Sequence, residues 1–173
     1  MIIIKNDKEI DLMRIAGRIV AETLLLVEKE VRPGITTAEL DRIAEEFITK
    51  HGAKPSFKGL YGFPASLCIS VNEQVVHGIP GRYVLKEGDI VSVDCGAIID
   101  GYHGDAARTF AVGNISEEAQ KLIEVTKESF FKGLEAAKVG NNLTDISNEI
   151  QKYIEASGFS VVRDFVGHGI GKD

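Results

Sequence analysis

An apolar stripe at Ile10, Met13, Gly17, Val20, Leu24, Val27 and Val31 advances in alternating steps of three and four, as one face of a long helix requires. Asn6 or Asp7 is placed to cap it and Pro33-Gly34 to stop it. Thr36 with Glu39 makes a capping-box pattern for a second helix, which buries Leu40, Ile43, Phe47 and Ile48 before His51-Gly52 and Pro55 end it. His51 reads as a cation near that helix C-terminus. Ser116 opens a third helix with Leu122, Val125, Ser129 and Ala136 inward, closed by Val139-Gly140. Asn142 or Thr144 opens a fourth with Ile146, Ile150, Tyr153 and Ile154 inward, closed by Ser157-Gly158. Strands are expected at Ser66 to Val71 and, running into a glycine-rich turn around His168, in FSVVRDFVGHGIGKD. Ile2 to Ile4 is expected as an edge strand or a tucked arm.

Between the helix pairs the period changes to two. Apolar runs flank Asp100-Gly101, a dipeptide that accepts positive φ and favours a tight hairpin. A turn centred there sets Gly96 opposite Asp105 and Asp94 opposite Ala107. One face then carries Ser92, Asp94 and Gly96 beside His103, Asp105, Ala107 and Thr109, and the other carries Val91, Val93, Cys95, Phe110 and Val112, a core side. Diagonal neighbours in an antiparallel pair sit roughly 7–8 Å apart. Two carboxylates so placed repel unless something positive joins them, either a metal cation or a side chain such as Arg108. A bulge or a longer loop would reverse the parity and part them.

Composition narrows the class without choosing the chemistry. A chain of 173 residues, 44% hydrophobic and 27% charged, is expected to fold as one domain over residues 1–173. A net charge of −6 gives no electrostatic footprint for nucleic acid. The opening MIIIKNDKEI is too short for a signal peptide or membrane span, so a cytoplasmic protein is expected, with Cys68 and Cys95 reduced. The loop KPSFKGLYGFPASL carries Phe57, Leu60, Tyr61 and Phe63, more apolar bulk than solubility needs, and either packs on the core or lines a pocket. His77 stands where the chain must leave a strand, and can exchange a proton near neutral pH if it points toward the aspartate face.

Long helix, glycine stop, shorter helix and glycine stop occur twice, with Gly34 matching Gly140 and Gly52 matching Gly158 at one constant offset, as in a duplicated unit. The first copy runs on through the aspartate hairpin, whereas the second ends with the 15 residues Phe159 to Asp173, so the chain is expected to be truncated.

VNEQVVHGIPG, VDCGAIIDGYHGDAARTF and FVGHGIGKD, in this order and at these separations, closely resemble the type I methionine aminopeptidases of the pita-bread fold, over the whole chain. The resemblance implies an α+β fold: an antiparallel sheet with helices on one face and an internal pseudo-repeat, here with an incomplete second half. It implies that Asp94 and Asp105 are metal ligands, Asp105 bridging two ions, and that His168 binds one of them. His77 would be the catalytic and substrate-contacting histidine, with Phe57, Leu60, Phe63 and Cys68 lining the pocket for the methionine side chain. The implied cofactors are two divalent ions of Co, Mn, Fe or Zn. The family's remaining ligands, two glutamates and a further histidine, are not in this sequence, so fewer or weaker ions and weak or no activity are expected of the chain itself. The expected partners are N-terminal methionines of peptides and nascent chains, with no nucleic acid and no membrane. The parent is expected as a monomer, while this chain is expected to self-associate through uncovered surface. Two other readings stay open, a proline-specific aminopeptidase or prolidase of the same fold, and a non-catalytic binding module.

Overall fold

The computed structural model describes residues 3–172. They divide into two compact units, residues 3–115 with 169–172, and residues 116–168.

The first unit is built on a sheet. Helix α1 (Asp7–Glu30) starts at Asn6, whose side chain accepts from the Glu9 amide while Glu9 Oε2 accepts from the Asn6 amide at 2.8 Å, a complete capping box. Helix α2 (Thr37–Lys50) has half of one: Thr36 Oγ1 accepts from the Glu39 amide, but the Glu39 carboxylate turns to Arg42. His51 ends α2, its Nδ1 2.8 Å from the Phe47 carbonyl in the last turn. Strands β1 (Lys54–Pro55), β2 (Leu67–Val71), β3 (Ile90–Ile99) and β4 (Tyr102–Ala111) form one antiparallel sheet, in which β3 pairs with all the others. β2 begins one residue later than expected, at Leu67, and the Asp41 carboxylate accepts from both the Ser66 and Leu67 amides there.

The core lies on one face of this sheet. Val20, Leu24 and Val27 of α1 and Leu40, Ala44 and Ile48 of α2 meet Leu67, Ile69 and Val71 of β2, Val91, Val93 and Cys95 of β3, and Phe110 of β4. The buried side of α1 is rotated slightly from the expected stripe, toward Ala16, Ile19 and Thr23, and leaves Ile10 exposed. Gly104 brings β4 against α1 so closely that a β-carbon there would lie 2.5 Å from backbone atoms of Ala16 and Gly17. Ile3 and Ile4 form no strand and are exposed, so no tucked arm is seen there; Ile2 lies outside the described residues.

The second unit is a helix pair. Helix α3 (Glu117–Ala136) is capped by the Ser116 hydroxyl, and α4 (Leu143–Ala156) follows Asn142, whose amide donates to Asp145 Oδ2 at 2.7 Å. They pack through Gly133, where a β-carbon would lie 2.7 Å from Ile150. Leu122, expected inward, is 37% exposed. The strand expected after Gly158 does not form: 159–172 contains no strand, and a strand needs a ladder partner that the helix pair does not offer. Asp173, the last residue of the glycine-rich motif, lies outside the described residues. Among the described residues no helix is long and apolar enough to cross a membrane.

Candidate metal centre

The β3–β4 hairpin closes through Asp100 and Gly101 at φ 48° and 83°, positive at both central positions, as a two-residue hairpin turn requires. Its register is the expected one throughout, Gly96 opposite Asp105 and Asp94 opposite Ala107, with no bulge. Both carboxylates therefore stand on one face, away from the core. The Ser92 and Thr109 hydroxyls, 2.8 Å apart, belong to the same face. Arg108 pairs with Val93 and so alternates onto the opposite face, which removes it as the natural counter-charge between the aspartates.

Strand β2 extends the polar face on the other side of β3. Cys68 pairs with Asp94 and Ser70 with Ser92. Burial first, and then Asp94, Asp105 and Asp41, push the Cys68 thiol up to about 12. Cys95, turned into the core beside Asp94, is pushed up to about 12 by burial, with the same two carboxylates adding to it. The negative field of the pair thus reaches both cysteines, and both are free thiols.

Gly96 explains how the aromatic loop reaches this face. A β-carbon at Gly96 would lie 2.7 Å from Ser56 Cβ and 2.9 Å from Phe57 Cε1, so the missing side chain is the space that those two residues occupy, directly across from Asp105. The Ser56 amide donates to the Gly96 carbonyl at 2.9 Å, and Ser56 Oγ lies 3.0 Å from His103 Nδ1. Further along, Leu60 is more than half exposed and Tyr61, at φ 49°, fully so, while Phe63 is half-buried. Phe57 and Cys68 are thereby brought to the carboxylate face.

His77 is exposed and held at φ 57°. Its neighbour Gly78 lies on β2: the Gly78 amide donates to Ser70 Oγ at 3.2 Å, and the Gly78 carbonyl accepts from the Ile69 amide at 2.8 Å. Ser70 belongs to the carboxylate face, so the residue after His77 is pinned at that face's border. The segment 169–172 belongs to the first unit, where the Gly171 carbonyl accepts from the His103 amide at 2.9 Å and Lys172 lies over the Tyr102 ring. Residue types alone gave no reason to select Ser56 and Ser70; only the sheet register reveals them.

Hard oxygen donors paired on one face suit a divalent cation, so the donor chemistry of Asp94 and Asp105 fits the implied metal. Among the described residues no group of three or more His, Cys, Asp and Glu side chains is arranged to hold a metal ion.

Residues 11–173 match the model of metallopeptidase family M24. The sequence is 76% identical to a methionine aminopeptidase of Clostridium perfringens, over 99% of this chain and 69% of that protein. The structure is similar to that of methionine aminopeptidase from Thermotoga maritima, with TM-score 0.98 and 45% identity, covering 100% of this chain and 70% of the other. An Xaa-Pro dipeptidase from Bacillus anthracis is more distant, with TM-score 0.84 and 27% identity, covering 98% of this chain and 47% of the other. The pita-bread architecture expected from the motifs is the one these neighbours share.

Proposed function

The chain belongs to metallopeptidase family M24, among the methionine aminopeptidases, and from that premise we propose that it serves metal-dependent removal of N-terminal methionine from peptides and nascent chains, in the cytoplasm. The observation that carries the reading is the β3–β4 register, which sets Asp94 and Asp105 on one polar face. The margin between 76% identity to a methionine aminopeptidase and 27% to the Xaa-Pro dipeptidase favours methionine over proline specificity.

In this proposal Asp94 and Asp105 hold the metal, an ion of Co, Mn, Fe or Zn, and His168 completes the ligands that this chain supplies. Divalent ions in such a site acidify water toward a pKa of about 7 and polarise a carbonyl. His77, next to the Gly78 held at the border of the face, exchanges a proton with the scissile amide. Phe57, seated over Gly96, forms with Leu60, Phe63 and Cys68 the wall for the methionine side chain. Both units serve one catalytic domain. With two carboxylates as the paired ligands on the sheet, the 173-residue chain binds fewer ions, or binds them more weakly, than two tight sites would, and by itself has weak activity or none.

Calorimetry with Mn or Co, on this chain and on its Asp105→Asn variant, tests the metal site. Weak binding abolished by the substitution is expected; two tight sites on the chain would overturn the weak-binding part. Specificity is tested on a chimaera that continues the chain with the part of the Clostridium perfringens relative it does not cover. Release of methionine from a Met-Gly peptide, with an Xaa-Pro peptide left intact, is expected. Cleavage of the Xaa-Pro peptide would overturn the methionine reading, and metal binding without cleavage of either would favour a non-catalytic binding module.

A further inference from the structure

The loop between β2 and β3 carries His77, and it is fastened at three places. In the middle, Gly78 lies on β2 through Ser70 and Ile69. Past it, Gly81 exchanges hydrogen bonds with Thr37 at the start of α2: the Gly81 amide donates to Thr37 Oγ1 at 2.9 Å, and the Thr37 hydroxyl donates to the Gly81 carbonyl at 3.1 Å. The Thr37 amide also donates to the Tyr83 carbonyl at 3.0 Å.

The third fastening is a carboxylate that the proposed chemistry does not use. Asp89, 8% exposed, immediately precedes β3. Its Oδ1 accepts from Asn72 Nδ2 at 2.9 Å, and its Oδ2 accepts from the Tyr83 hydroxyl at 3.0 Å and the Lys86 amide at 2.9 Å. Asn72 is itself in the left-handed region at φ 53°, and its side-chain oxygen accepts from the Ile90 amide. One carboxylate therefore grips the residue where the loop leaves β2 and the residues where it returns to β3, closing the base of the loop around His77. Removing this acceptor would release the Asn72 side-chain amide, the Tyr83 hydroxyl and the Lys86 backbone N–H together. Burial by itself would push the Asp89 carboxyl up, but the bonds from Asn72, the Lys86 amide and Tyr83, with the Lys86 charge, outweigh it and hold the carboxyl below its ordinary value.

We infer that Asp89 is a positioning residue for His77, acting through Asn72 and Tyr83 to fix the two ends of the loop that carries His77 next to Gly78 at the border of the carboxylate face. The inference deepens the reading of His77 as the proton-transfer group and rests on it for its functional meaning.

The test reads the loop in the 173-residue chain by amide hydrogen exchange and by the His77 imidazole resonance. Asp89→Asn and Asn72→Ala are expected to speed exchange over residues 73–80 at least tenfold and to shift or broaden the His77 signal, with amides of β3 and β4 unchanged within twofold. Tyr83→Phe removes one bond and no charge, and is expected to act in the same direction with a smaller effect. Glu87→Gln alters an exposed carboxylate two residues from Asp89, bonded to Asn114 instead, and is expected to leave the loop alone. Should Asp89→Asn not fold, Asn72→Ala and Tyr83→Phe decide the matter. An unchanged His77 signal in both of those, or exchange quickened equally in the sheet, overturns the inference. No turnover enters the readout, so failure of methionine release and failure of this positioning role are seen separately.

Discussion

Helices α2 and α4 are the same helix by local code and different helices by environment. At one constant offset Thr36 corresponds to Asn142 at the N-cap, Glu39 to Asp145, Gly52 to Gly158, and both helices have 14 residues. The correspondence extends to their predecessors, since α1 ends at Glu30 and α3 at the matching Ala136. Gly34 and Gly140 follow at φ 92° and 98°. Yet Leu40, Ala44 and Ile48 of α2 are fully buried, whereas the matching Ile146, Ile150 and Ile154 are only half-buried. Caps and glycine stops set where a helix begins and ends; burial is decided by what packs on it. In the first unit a sheet does so, and in the second the helix packed on α4 is α3.

The sharpest way to break this comparison is to truncate matched positions. Leu24 on α1 is 1% exposed and packs in the core of the first unit; its counterpart Phe130 on α3 is 60% exposed. Leu24→Ala is expected to cost about 3 kcal/mol in urea unfolding of the first unit, as large-to-small core changes do. Phe130→Ala is expected to stay within about 0.5 kcal/mol. The same substitution is expected to shift sedimentation toward the monomer, because Phe130, Phe131 and Leu134 leave apolar surface through which this chain is expected to self-associate. Equal costs for the two truncations, or a compact monomer before any substitution, would undo the contrast.

A smaller effect separates two glycines at helix contacts. The added β-carbon of Gly104→Ala meets α1 backbone, which cannot step aside, and a loss of about 1–3 kcal/mol is expected. That of Gly133→Ala meets side-chain atoms alone, Cδ1 and Cγ1 of Ile150 and Cγ2 of Ile146, which can shift where backbone cannot, while alanine gains about 1 kcal/mol over glycine in a helix interior. A near-neutral thermal shift is expected there, and a loss as large as at Gly104 would show the α3–α4 contact to be as rigid as the α1–β4 one.

Short-range signals carried the helices and the hairpin. Asn6, Thr36, Ser116 and Asn142 are caps, Asp100-Gly101 is a turn that fixes the register, and alternation then puts Asp94 and Asp105 together. What the sequence did not reveal depends on partners distant along the chain. The rotation of α1 toward Ala16 and Ile19 follows from the closeness that Gly104 permits, and the seat of Phe57 from the missing side chain of Gly96. FSVVRDF has the composition of a strand, but strand propensity expresses itself only against a neighbouring ladder. His77 is marked by its motif; the bonds that hold its loop, through Thr37, Ser70 and Asp89, join residues at separations of 44, 8 and 17 and follow no periodicity.

The finest distinction between α2 and α4 is one of charge. Asp41 on α2 holds the start of β2, its Oδ1 accepting from the Ser66 and Leu67 amides at 2.9 and 2.7 Å, while the matching residue on α4 is the exposed Ser147. Burial, with Glu45 adding to it, pushes the Asp41 carboxyl above its ordinary value, against the pull of the two amides and Lys58. The folded chain therefore keeps this proton at a pH where the unfolded chain has released it, and the stability contributed by Asp41 falls as pH rises from 3.8 through the higher folded value. Asp41→Asn keeps an oxygen for both amides and removes the buried charge. It is expected to be more stable than the parent at pH 7, with the difference closing as the pH falls toward 3.8, whereas Ser147→Ala is expected to show no such pH dependence. Urea midpoints measured across that range check the sign, and a difference that widened toward acid would mean that the carboxylate's bonds to β2 outweigh the burial of its charge.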